Sequence, residues 1–74
     1  MEMREVYNQG RQRGESILKS KNHKQIENRI IQIKHDLTIL EYEHEYLEAA
    51  GLRGELSIYY QNGFSSAFPP KAKY

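Results

Sequence analysis

The sequence predicts an all-α protein, a helical hairpin with one long amphipathic, coiled-coil-like helix, and three observations carry that expectation. Isoleucine and leucine recur in alternating steps of four and three, recognisable start and stop residues bracket that run, and the 74-residue chain holds neither cysteine nor a long apolar stretch. At this length an unfolded chain buries only about 60% of its surface on folding, so a single small domain, residues 1–68, is the most it can build.

The first element is a helix over about residues 2–20. Met3, Val6, Tyr7, Gly10, Gly14, Ile17 and Leu18 share one helical face. Gly10 and Gly14 weaken that helix by about 1 kcal/mol each relative to alanine, but one turn apart they also let a second backbone approach closely. The competing reading is a flexible segment with helix beginning only near Glu15. Ser20-Lys21-Asn22 then forms a short connection of the kind that joins antiparallel helices.

The second and central element is a helix over residues 24–50. Its seam is Ile26, Ile30, Ile33, Leu37, Leu40, His44 and Leu47, the spacing of heptad core positions, with only His44 polar. Asn22 is a favourable N-cap, and Gln25 three residues later can complete a capping box. Ala49-Ala50-Gly51 supplies a stop, because glycine readily takes the left-handed conformation that ends helices. A second stripe, Ile31, Ile39, Tyr42 and Tyr46 with His35 in line, lies about a third of the way round, and a helix with two apolar faces has two neighbours. Self-association through the seam, with a dimer favoured, supplies one of them.

The third element, about residues 54–68, is open between two forms. Leu52, Leu56, Tyr59 and Tyr60 suit a short helix capped by Gly63, whereas Ser57 to Tyr60 followed by Asn62-Gly63 suits a β-hairpin. The helix is preferred, since a lone two-stranded hairpin is marginal in water. Pro69-Pro70 ends regular structure, and residues 69–74 read as a flexible tail.

Charge and composition narrow the function classes. The net charge of +1 hides a polarity along the chain: residues 1–35 carry Arg4, Arg11, Arg13, Lys19, Lys21, Lys24, Arg29 and Lys34 against four glutamates, while residues 36–55 hold six acids against Arg53 alone. The absence of cysteine excludes disulfides, thiolate zinc sites and a thiol nucleophile. No secretory signal or membrane-spanning run is legible, so a cytoplasmic protein is expected. Gly63-Phe64-Ser65-Ser66-Ala67 has the spacing of a nucleophile elbow, but that motif requires a large α/β sheet that this chain is too short to build. No catalytic residue and no cofactor is therefore expected.

Three binding readings remain. In the preferred one the chain is a non-catalytic module acting by occupancy, an adaptor or inhibitor of a larger protein, as suits a phage-type or regulatory protein. Its candidate contacts are the aromatic side chains Tyr42, Tyr46, Tyr59, Tyr60, Phe64 and Phe68 and the acidic ridge of Glu41, Glu45 and Glu48. In the second, Arg4, Arg11, Arg13, Lys19, Lys21 and Lys24 contact nucleic-acid phosphates. In the third, Glu41 and His44, spaced as Glu-x-x-His, offer two metal ligands from one helical face of a self-associated bundle. Set against that, His44 as a polar seam residue would instead fix register or oligomer number.

Overall fold

The computed structural model describes residues 2–64 and is helical throughout: α1 spans Met3–Ser20, α2 His23–Tyr42 and α3 Tyr46–Gln61. The start of α2 is built as its sequence requires. The Gln25 N–H donates to Asn22 Oδ1 at 2.9 Å and the Asn22 N–H donates back to Gln25 Oε1 at 3.0 Å, a reciprocal capping box. Helix α1 runs unbroken through Gly10 and Gly14, both of them buried, so the flexible reading of that segment does not hold.

The long helix expected over residues 24–50 is two helices. The Glu45 N–H donates to the Leu40 carbonyl at 2.8 Å and the His44 N–H to the Glu41 carbonyl at 3.2 Å, the paired bonds of a Schellman motif. His44 sits at the left-handed position of that motif, with φ +63°. An L-residue there costs about 1–2 kcal/mol, which explains why no local signal announced the break. Gly51, expected to end the long helix, lies inside α3, and the β-hairpin alternative fails over residues 57–61, which are helical. The third element also begins earlier than expected, at Tyr46 rather than near residue 54. Phe68 and the tail at 69–74 lie outside the described residues.

Tertiary packing selects the break. Helix α1 packs chiefly on α3 rather than on α2, and α3 is shared by both other helices. Val6 touches Gly51 and Gly14 touches Ile58, so α1 and α3 run parallel. His23 at the start of α2 stacks on Phe64 just beyond α3, with ring centroids 4.6 Å apart, so α2 runs antiparallel to α3, which lies between the other two helices. The α1–α3 contact is made by bare backbone: a Cβ on Gly54 would lie 2.0 Å from the Tyr7 carbonyl oxygen, and one on Gly10 would lie 1.9 Å from that of Gly51. Only glycine permits that approach.

Ile26, Ile30 and Ile33 of α2 close on Tyr59 of α3 to form the core, and Ile17, Leu18, Leu37, Leu52, Leu56 and Phe64 pack around it. Four of the seven residues of the expected self-association seam, Ile26, Ile30, Ile33 and Leu37, are thus occupied within one chain. Leu40 is half-buried near the end of α2, and His44 and Leu47, at and beyond the break, are exposed.

Candidate functional site

Glu55 of α3 is fully buried, and its carboxylate collects donors from all three helices. Arg29 of α2 binds it bidentately, Nε to Oε2 at 2.8 Å and Nη2 to Oε1 at 2.9 Å. Arg13 of α1 donates from Nε to Oε1 at 3.2 Å, and the Tyr59 hydroxyl, one turn along α3, donates to Oε2. Each oxygen therefore accepts two hydrogen bonds, which meets the condition under which a buried charge is tolerated. Burial by itself would push the Glu55 carboxyl up, but Arg29, Tyr59 and Arg13 outweigh it and hold it below the usual carboxylate range. Burial and the bond to Glu55 push the Tyr59 phenol above its ordinary value. A second tie from α1 runs beside the first: Arg11 donates to Ser57 Oγ at 3.1 Å and to Gln61 Oε1 at 3.4 Å.

This cluster was missed in the sequence, where Glu55 reads as one more member of an acidic block. The available signal is its neighbourhood, since Leu52, Leu56 and Tyr59 surround Glu55 on the apolar face of a helix. An acid in that setting requires buried partners.

Beyond the cluster, the ends of α2 and the beginnings of α1 and α3 enclose an open groove of about 450 Å³. Val6, Ile39, Leu40 and Leu52 give it an apolar lining, Asp36 and Glu48 place carboxylates along it, and Arg13, whose Nε is held by Glu55, is its one cationic lining residue. Next to it, every residue from Glu41 to Glu48 is exposed. Tyr42 at 85% and Ile39, Tyr46 and Leu47 at 43–47% make this corner the most apolar exposed part of α2 and α3.

The candidates divide clearly. Tyr42, Tyr46, Glu41, Glu45 and Glu48 all lie at the α2–α3 corner, whereas Tyr59 is core and Phe64 packs against it, so these two aromatic residues are not an open contact surface. Tyr60 is exposed near the far end of α3. Among the basic candidates, Arg13 and Arg11 turn onto α3, leaving Arg4, Lys19, Lys21 and Lys24 exposed. The Glu41/His44 pair loses its premise: His44 is outside any helix and shares a 2.5 Å hydrogen bond with the Tyr46 hydroxyl, while Glu41 pairs with Arg53. Among the described residues no three His, Asp or Glu side chains converge as metal ligands. Nor is any helix among them long and apolar enough to cross a membrane.

Over the described residues, fold and site together define a small up-down-up three-helix unit, pinned by two partly exposed arginines on the buried Glu55 and open at one apolar corner with carboxylates along it. No protein family, characterised protein or solved structure matches the chain.

Proposed function

We propose that this protein is a non-catalytic binding module that receives a basic, amphipathic segment of a larger protein at its α2–α3 corner, acting by occupancy as an adaptor or inhibitor. The observation that supports this reading is the coincidence of an apolar groove edged by Asp36 and Glu48, in which Arg13 is already committed to Glu55, with the exposed Tyr42, Glu43, Glu45 and Leu47 of the adjoining turn. Exposed apolar area bordered by polar groups is the common composition of protein interfaces, and tyrosine gives contact area at little cost in side-chain entropy. The border attracts lysine and arginine, while the groove rewards apolar residues at helical spacing.

Nuclear magnetic resonance titration tests the proposal, using a helical peptide of leucine and lysine in amphipathic register and its leucine–glutamate counterpart. The lysine peptide is expected to shift Ile39, Tyr42, Leu47 and Leu52, with the glutamate peptide inert. Equal response to both peptides, or none to either, removes the reading. A single-stranded oligonucleotide provides the rival outcome: shifts at Lys19, Lys21 and Lys24 that fade steeply with added salt would make this a nucleic-acid-binding protein.

A further inference from the structure

The turn between α2 and α3 is built from residues that prefer to be helix. Glu43-His44-Glu45 contains neither glycine nor proline, and the left-handed position, normally given to glycine or asparagine, is held by His44 at φ +63°. No side chain caps the start of α3. The four-three alternation that runs from Ile26 to Leu47 continues in the same steps to Gly51, Gly54 and Ile58, so a straightened turn would leave α2 and α3 in a single uninterrupted register. Register thus allows one long helix, and the turn is held bent by its own Schellman and His44–Tyr46 hydrogen bonds together with the contacts of α3 with α1 and α2.

Those contacts do not require α3 to belong to the same copy. Gly10 against Gly51, Arg13 and Arg29 on Glu55, and Tyr59 in the isoleucine core all join groups on opposite sides of the turn. Helix α3 of a second copy can make every one of them with unchanged geometry, while the turn relaxes to helix. Short hinges under strain are the setting in which such exchange arises.

We infer that a second copy of this chain is a binding partner, through exchange of α3 in a domain-swapped dimer whose α2 and α3 form one continuous helix. This does not depend on the basic-segment reading above. The exchange places His44 in control of the equilibrium, because it carries the conformational cost of the compact monomer.

The test refolds the protein from urea at micromolar and millimolar concentrations and measures mass by light scattering. A dimer that grows with concentration is expected. His44→Gly relieves both turns and should weaken the dimer by on the order of 100-fold, and His44→Ala, a better helix former, should tighten it about fivefold. Because the chain has no cysteine, Arg11→Cys with Ser57→Cys marks α1 and α3 cleanly for a short bismaleimide. In the exchanged dimer the link joins two chains and survives denaturation as a covalent dimer. A wild-type chain monomeric to millimolar concentration overturns the inference. So does a dimer linked only within chains, or one indifferent to His44→Gly.

Discussion

Gly10 of α1 and Gly51 of α3 meet backbone to backbone, with a Cβ on Gly10 falling 1.9 Å from the Gly51 carbonyl oxygen. The reverse contact is softer, because a Cβ on Gly51 would meet the side chains of Val6 at 3.2 Å and Arg13 at 3.4 Å. Backbone cannot step aside as a side chain can. Gly10→Ala should therefore destabilise by about 3 kcal/mol or more, while Gly51→Ala, repaid partly by better helix propensity, should stay within about 1 kcal/mol of wild type. Urea denaturation followed by circular dichroism checks this, and equal costs at the two positions would contradict the backbone contact.

Removing Glu55 opens a gap at a fully buried position, strands the Tyr59 hydroxyl there, and takes the counter-charge from Arg13 and Arg29, which can still reach water. Glu55→Ala should cost about 2–3 kcal/mol, for the cavity and the stranded hydroxyl, a large share of the stability of so small a domain. The exposed Glu41–Arg53 pair is the internal comparison, and Glu41→Ala should cost no more than about 1 kcal/mol. Similar melting temperatures for the two variants would show that the cluster does not hold the helices together.

The same cluster sets a pH dependence. Glu55 is held below its ordinary value of 4.5 in the folded state, so the unfolded chain binds its proton first as pH falls. Its contribution is complete above that value and is lost as pH drops through the lower folded value. Tyr59 acts in the opposite direction: its folded value is raised above 10.0, so its contribution is present below that value and lost at higher pH, as the folded phenol ionises. Stability measured from pH 7 downward should decline on the acid side in the wild type and flatten in Glu55→Gln, which can keep part of the hydrogen bonding. An unchanged acid limb in that variant would assign it to other carboxylates.

Tyr42 and Ile33 share a helix and contrast in burial, at 85% and 0% exposed. Tyr42→Ala should leave stability within about 0.5 kcal/mol of wild type. Ile33→Ala should cost about 2–5 kcal/mol. A large loss on Tyr42→Ala would mean that the α2–α3 corner is structural rather than available to a partner.

Much of the fold was legible because its signals are local. The Asn22–Gln25 capping box, the apolar spacing of Ile26, Ile30 and Ile33, and the proximity implied by Gly10 and Gly14 each involve residues within about a turn or two of one another. The candidate corner was partly legible on the same grounds, since Ile39, Tyr42 and Tyr46 stand out as a second stripe. Its groove was not, because Val6 and Leu52 reach it only through packing.

By itself, then, the sequence determined that the described residues are helical, where α2 begins, that Ile26, Ile30 and Ile33 share one apolar seam, though not that Ile58 joins the core, and that acid and base are separated along its length. Only the tertiary structure decided that the long helix breaks at His44, that Gly51 packs inside a helix instead of ending one, and that Glu55 is an internal anchor. The reason is one of range. Periodicity and capping report energies between neighbours in the chain, whereas the bend at His44 is unfavourable locally and is offset by contacts such as Gly10 with Gly51 and Arg29 with Glu55, whose partners lie far apart in sequence.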